Sequence, residues 1–173
     1  WLAPLAVVTA LLPIYLLTMP ATVGRNDTFE FQVVAHQLGV AHPTGYPLYL
    51  LLSKLFTLLP FGSVALRVNL GTMTFGLLAL GLLAHLGWRL WGSGLLAMLP
   101  PLLLGLTPIF WSQAIEAEVY TLHSLFVVGA LLMIVIIDST QSTNQLINQP
   151  IDKPTGRAWH AMPLRNTDDG LRL

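Results

Sequence analysis

Long stretches without a charged residue dominate the first 137 residues of this 173-residue chain. Only eight of the sixteen charged residues lie there, and the other eight lie from Asp138 onward. A bilayer core is about 30 Å thick and a helix rises about 1.5 Å per residue, so a span needs about 20 residues without a charge. With 54% hydrophobic and 9% charged residues, the chain is predicted to be a membrane protein.

The same features exclude other classes of protein. The long uncharged runs are untypical of a soluble enzyme, and eight basic residues are balanced by eight acidic ones without a basic stripe for nucleic acid. The absence of cysteine excludes disulfides and thiol nucleophiles. Because the sequence begins with Trp1 and not with methionine, we expect a fragment or a processed chain.

Four stretches are long enough to cross the membrane. We therefore predict an all-α membrane protein of about four transmembrane helices, with interfacial helices in the first extracytoplasmic loop. The first stretch also admits a signal-peptide interpretation, although a basic flank is missing. The predicted membrane domain covers residues 1–137, with spans at about residues 2–19, 68–88, 93–111 and 119–137.

A fifth apolar stretch, residues 47–60, decides the topology. Fourteen residues make roughly 21 Å of helix, and Lys54 lies in the middle, where burial in lipid would be costly. Leucines recur at helical spacing and could bury one face. We favour an interfacial or re-entrant helix, while a spanning helix stays open as the alternative.

The positive-inside rule then orients the chain. The side with most basic residues should be cytoplasmic, which puts the first loop and Glu118 together outside the cell membrane. From Asp138 onward the composition is polar, so we predict a flexible tail over residues 138–173. The five basic residues of the cytoplasmic side are Arg89, Lys153, Arg157, Arg165 and Arg172, against Arg25, Lys54 and Arg67 outside.

The first loop concentrates ionisable residues beside the membrane, which makes them functional candidates. Asp27 and Glu30 have the spacing of a capping box, so they are expected to begin a helix over residues 28–38 that ends at Gly39. A capping role and a catalytic role are compatible for Asp27.

The segment His42-Pro-Thr-Gly-Tyr-Pro47 follows this helix. Its proline and glycine positions favour a type I turn, and Pro47 can open the next helix. Such a turn would hold His42 and Tyr46 in fixed positions, although a plain connector between helices is an equal alternative.

The acids and histidines of the loop also raise the question of a metal. Asp27, Glu30, His36 and His42 have no recognised ligand spacing, so no metal and no other cofactor is predicted.

A second polar loop is predicted between the third and fourth spans. Pro108 should end or kink the third span, and Trp111 and Tyr120 suit the membrane interface. Glu116 and Glu118 precede the fourth span, where they either mark its start or bind a polar substrate, with His123 one turn further on.

Taken together, these motifs resemble the membrane family called domain of unknown function 2723, which is related to protein O-mannosyltransferases. The resemblance covers about residues 1–137. It is carried by five motifs: Asp27-Thr-Phe-Glu30, Leu38-Gly-Val-Ala-His42-Pro-Thr-Gly45-Tyr46-Pro47, Arg67-Val-Asn69, Phe110-Trp111-Ser-Gln113 and Glu118-Val-Tyr120.

The resemblance implies a GT-C type fold and a glycosyltransferase that moves a sugar, with mannose as a candidate, from a polyprenyl-phosphate donor to an extracytoplasmic protein or glycan. The family has an acidic residue of the first extracytoplasmic loop at its active site, and Asp27 occupies that place. The chemistry of such a transfer also requires a cationic partner for the leaving phosphate, which Arg25, Lys54 or Arg67 could provide. Tyr46 and Trp111 could stack on the sugar or cover the site. A non-catalytic membrane subunit or a transporter piece is the alternative. The residues implied for substrate binding are Glu30, His42, Tyr46, Arg67, Glu118 and Tyr120.

Overall fold

A computed structural model describes residues 2–148, except for the side chain of Leu146. Within this part of the chain the fold contains helices and no strand, which confirms the predicted all-α class. The seven helices are α1 (Leu2–Thr18), α2 (Asn26–Gln37), α3 (Pro47–Thr57), α4 (Val64–Trp91), α5 (Gly94–Gly105), α6 (Pro108–Ile115) and α7 (Tyr120–Ile147).

Two helices are long and apolar enough to cross a membrane by themselves. They are α4 and the part of α7 from Tyr120 to Gln145. The predicted third span, at about residues 93–111, is interrupted where Pro108 was expected to end or kink it, because α5 and α6 are bent by 73° at the break before Pro108. If that pair forms one broken span, there are three candidates among the described residues, whereas α1 reaches only about 25 Å.

Helix α4 lies at the centre of the fold, with α1 and α5 against one part of its surface and α2 and α3 against another. The Tyr15 hydroxyl of α1 donates a buried hydrogen bond of 2.7 Å to the Gly105 carbonyl of α5. A Cβ atom at Gly105 would come within 2.7 Å of Leu11 and 2.8 Å of Leu80, so this close approach requires glycine.

Helix α3 has 11 residues and spans about 16 Å, which is too short to cross the bilayer and agrees with the predicted interfacial helix. Its Lys54 ammonium donates to the carbonyl of His36. The Arg67 guanidinium donates to the carbonyls of Thr57 and Leu59, both at 2.6 Å. Two basic residues therefore hold the first loop onto α4 and α3.

Buried amides attach the beginning of the first loop to α4. Gln32 donates to the Asn69 side chain at 2.9 Å and accepts from the Gly24 amide at 3.0 Å. Asn69 in turn donates to the Pro20 carbonyl at 3.0 Å. Because both side chains are almost completely buried, these bonds fix the path of residues 20–24 before α2 begins.

The polar segment after residue 137 begins as helix. Residues 138–147 continue α7, so the predicted flexible tail does not begin at Asp138. Residues 149–173 of that predicted tail lie outside the described part of the chain.

We predict that Gln32→Leu destabilises the protein, because the Gly24 amide and the Oδ1 atom of Asn69 both lose their hydrogen-bond partner. Each orphaned buried group costs about 1–3 kcal/mol. Thermal unfolding of the detergent-solubilised protein measures the loss. Gln37→Leu, at an exposed position of the same helix, is the matched control and should stay within about 0.5 kcal/mol. Equal unfolding temperatures for both variants would contradict the role of the amide network.

Candidate functional site

A polar cavity of about 490 Å³ lies between the start of α2 and the link from α6 to α7. It brings together acids from both predicted polar loops, as expected from the sequence. Arg25 is the one basic residue among those that line it, together with three acidic residues. The lining residues are Pro20, Thr22, Val23, Gly24, Arg25, Asn26, Asp27, Thr28, Glu116 and Glu118.

The start of α2 differs from the predicted capping box. Arg25 occupies the N-cap position without a side-chain cap, and Asp27 lies exposed in the first helical turn. Glu30 does not reach back to this end, because both of its oxygens bind His42. At the other end, Leu38 and not Gly39 takes the left-handed conformation, with φ of 56°. Asp27 therefore has no capping duty, although the helix dipole favours a negative charge there.

Glu118 is a partly buried acid of the cavity, whereas Asp27 is exposed. The hydroxyl of the buried Thr28 donates to its Oε1 atom at 3.3 Å. Burial raises the pKa of Glu118, and the negative charges of Asp27 and Glu116 add to this effect. The site thus contains an exposed acid, Asp27, and a half-buried acid whose protonated form is favoured.

Glu30 and His42 form a tight pair next to the cavity. One Glu30 oxygen accepts from the His42 backbone amide at 2.7 Å, and the other lies 2.7 Å from the ring atom Nδ1. The hydrogen bond from the His42 ring lowers the pKa of Glu30, and the same bond raises the pKa of His42. Phe31 and Tyr46 pack against the imidazole, with ring centroids at 5.6 and 5.3 Å.

The turn after His42 closes by a hydrogen bond of 2.7 Å from the Gly45 amide to the His42 carbonyl. This bond joins the first and fourth residues of a β-turn, at the place where the sequence predicted a turn. Gly45 has φ of 84°, a conformation that favours glycine. Pro47 opens α3, as predicted, and the turn places His42 and Tyr46 side by side.

Asp27, Glu30 and His42 offer ligand atoms that all lie within 4.8 Å of one another. Among the described residues, this group could hold a metal ion, whereas the exposed His36 is not part of it. A metal would have to compete with the two bonds between Glu30 and His42, and we therefore interpret these two residues as a hydrogen-bonded pair. The absence of a cofactor stays a prediction.

Two apolar cavities are lined in part by residues that follow Glu118 in the chain, and each has a volume of about 510 Å³. Tyr120, the first residue of α7, lines both of them. One also contains Tyr46 and His123, while the other contains Thr107 and Gln113. Both tyrosines predicted to bind substrate therefore border apolar space beside the acids.

Other predicted site residues have structural contacts. Arg67 binds backbone carbonyls of the loop between α3 and α4, and Lys54 binds the end of α2. Trp111 stacks on Tyr15 at 6.3 Å and donates to the Thr18 hydroxyl at 2.9 Å, so its ring packs against α1.

The sequence interpretation missed Thr28 and Gln32, whose buried side chains hydrogen-bond residues of the site and of α4. Both are polar residues four positions apart on the face of α2 that also buries Phe31. This spacing was the available signal, because a polar pair on an apolar face indicates buried hydrogen bonds.

Comparison with known proteins supports a relation to sugar transferases. Residues 27–160 match the family described as protein O-mannosyl-transferase TMEM260 N-terminal domain. The chain is 41% identical over 139 residues to protein O-mannosyl-transferase TMEM260 of Mus musculus, covering 80% of this chain and 20% of the relative. It is 34% identical over 124 residues to protein O-mannosyl-transferase tmem260 of Dictyostelium discoideum, covering 69% and 15%. No solved structure matches.

These matches confirm the predicted relation to protein O-mannosyltransferases. The chain spans about a fifth or less of the length of these two curated relatives.

The paired pKa shifts of Glu30 and His42 predict a pH window for stability. Stabilisation from Glu30 is complete above its ordinary pKa of 4.5 and is lost as the pH falls through the lowered value. Stabilisation from His42 is complete below its ordinary pKa of 6.5 and is lost as the pH rises through the raised value. The unfolding temperature of Glu30→Gln should therefore differ most from wild type between these two pH values, and a difference independent of pH would contradict the ion pair.

Proposed function

We propose that this chain, which belongs to the protein O-mannosyl-transferase TMEM260 N-terminal domain family, is part of a membrane enzyme that transfers mannose from a polyprenyl-phosphate donor to an extracytoplasmic protein. The observation that carries the proposal is the polar cavity in which Asp27, Glu118 and Arg25 meet. Both curated relatives are named protein O-mannosyl-transferase, which supports the sugar and the acceptor class.

Asp27 is the proposed catalytic base. Sugar transfer to a hydroxyl requires a group that accepts the hydroxyl proton as the new bond forms. Asp27 is exposed within the cavity and has no capping duty, so its carboxylate is free to meet an acceptor that arrives from water. Glu118 is only partly exposed and already accepts a hydrogen bond from Thr28, so we assign to it the binding of a sugar hydroxyl rather than the activation of an acceptor from water.

The apolar cavities beside the site suit a lipid-linked donor. Tyr46 and Tyr120 combine an apolar ring with a polar tip, which is typical of the boundary between lipid and water. A polyprenyl chain in the apolar cavity would bring its phosphate towards Glu118 and Arg25 at the edge of the membrane. This arrangement separates an apolar entrance for the donor from a polar entrance for the acceptor.

The proposed orientation puts the Asp27 loop outside the cell membrane. Helix α4 has 28 residues, about 42 Å, and it separates the turn at Thr44 from Ser93. Cysteines introduced singly at these positions of the full-length protein should react with an impermeant reagent from outside only at Thr44. Both should react after permeabilisation, which controls for accessibility. External labelling at Ser93 but not at Thr44 would invert the topology.

We predict that Asp27→Asn abolishes transfer. The change removes the charge and the basicity while it keeps the size of the side chain, and a general base contributes a factor of about 10² to 10⁴. The assay is mannose transfer from a polyprenyl-phosphate donor in membranes that carry the full-length protein at matched expression.

Glu116→Gln is the matched control, because Glu116 lines the same cavity and has no proposed role in proton transfer. Its turnover should remain within a few-fold of wild type. Glu118→Gln should weaken donor binding more than turnover. Wild-type turnover in Asp27→Asn together with an inactive Glu118→Gln would move the base to the second loop.

A further inference from the structure

The pair formed by Glu30 and His42 has an arrangement that packing alone does not require. A carboxylate accepts hydrogen bonds at both oxygens, so the contact of 2.7 Å assigns a proton to Nδ1 of His42. The second Glu30 oxygen holds the backbone of the same residue at 2.7 Å. One acid therefore fixes both the position and the tautomer of the imidazole, and Nε2 is left as the ring nitrogen available to a ligand.

The surroundings of His42 are strongly negative. Glu30 contacts it directly, and the negative charges of Asp27 and Glu118 act on the same ring. Asp27 and Glu30 come from α2, whereas Glu118 comes from the link between α6 and α7. Arg25 is the basic residue that lines the adjoining cavity.

An anionic phosphate cannot enter this site without cationic partners. Three basic residues were predicted as candidates to face the phosphate. Two of them, Lys54 and Arg67, donate to backbone carbonyls, and these hydrogen bonds hold the first loop together. Arg25 remains, and it is outnumbered by carboxylates. His42 in its protonated form is the additional cation that the geometry provides.

We propose that His42, positioned by Glu30, donates its Nε2 proton to the phosphate group that leaves during sugar transfer. This inference rests on the proposed function and adds a catalytic acid, His42, and a positioning residue, Glu30, to the proposed base Asp27.

The proposed step balances in atoms and protons. The acceptor oxygen bonds to the anomeric carbon of the sugar, the bond between that carbon and the phosphate oxygen breaks, and Asp27 takes the hydroxyl proton. The Nε2 proton of His42 passes to the leaving polyprenyl phosphate, which departs as the singly protonated monoester. After the products leave, Asp27 returns its proton through solvent and His42 takes one up at Nε2, which resets the site.

The charge state of the ring agrees with this role. The hydrogen bond from Glu30 is the main cause that raises the pKa of His42, and the charges of Glu30, Asp27 and Glu118 act in the same direction. At neutral pH the imidazole therefore holds its proton more often than a solvated histidine does.

The pH dependence of transfer by the full-length protein in membranes tests the proposal. Wild-type turnover should fall as the pH rises through the raised pKa of His42. In Glu30→Gln this alkaline fall should move to lower pH, because the charge that favours the protonated ring is gone. In His42→Gln turnover should drop by about 10²-fold or more and the alkaline fall should disappear.

His36→Gln is the matched control. His36 is an exposed histidine on the same α2 segment, outside the Glu30 pair. Its pH profile should coincide with that of wild type. All rates are divided by the folded fraction of each variant, so that loss of stability is not counted as loss of catalysis.

A second measurement does not depend on activity. Nitrogen NMR of histidine-labelled full-length protein should show a His42 ring that is protonated at Nδ1 and titrates above 6.5, with the titration moving to lower pH in Glu30→Gln. A ring that titrates identically in wild type and in Glu30→Gln would overturn the proposal. The NMR titration can be read even if the wild type transfers no mannose. Absence of transfer would contradict the proposed function, whereas an unshifted titration would contradict the pairing of His42 with Glu30.

One further outcome would replace the proposal by a metal site. If EDTA abolishes wild-type transfer and Mn²⁺ restores it, Glu30 and His42 are ligands and His42 is not the acid. Unchanged turnover in EDTA, together with the shifted alkaline fall in Glu30→Gln, supports the acid. An alkaline fall that persists unchanged in His42→Gln assigns it to another group and also overturns the proposal.

Discussion

The hydrogen bond between Gln32 and Asn69 is the contact on which the geometry of the site depends. An amide inside an apolar helix such as α4 is costly unless its polar atoms are satisfied. Asn69 meets this requirement with Gln32 on one side and the Pro20 carbonyl on the other. Because an unpaired Asn69 would be costly, its hydrogen bond with Gln32 holds α2 against α4. This bond positions Asp27 and Glu30, which lie on α2 but do not take part in it.

The second half of the site reaches the first by close packing around α4. A Cβ atom at Gly76 would lie 3.3 Å from Ala114 and 3.3 Å from Thr121, so a larger residue would push α6 and α7 outward. Thr121 also donates to the Thr72 carbonyl at 3.1 Å, which fixes the first turn of α7. The link between these helices carries Glu118, whose contact with Thr28 closes the cavity. Packing against α4 thus positions both halves of the site, although no residue of α4 lines the polar cavity.

Local sequence signals predicted the helices well, because charge-free length and proline position act within one segment. Pro47 opens α3 and Pro108 breaks the third apolar stretch, as expected. The capping box failed for a non-local reason: Glu30 finds two donors on His42, twelve residues away, and these outcompete the amide at its own helix start. The hydrogen bonds from Arg67 to backbone carbonyls could not be predicted from the sequence either, since they depend on how α3 packs against α4.

The distribution of charge follows from the same competition for partners. Residues 19–67 contain three basic residues, and two of them, Lys54 of α3 and Arg67 of α4, donate to backbone carbonyls at and beyond helix ends. The three acids that line the polar cavity therefore have Arg25 as the one basic residue in the same lining. Burial raises the pKa of Glu118, and the hydrogen bond from Glu30 raises the pKa of His42. Both shifts favour the protonated form, which is the less negative form of each group, so they act against the excess of negative charge that remains when Lys54 and Arg67 bind backbone carbonyls.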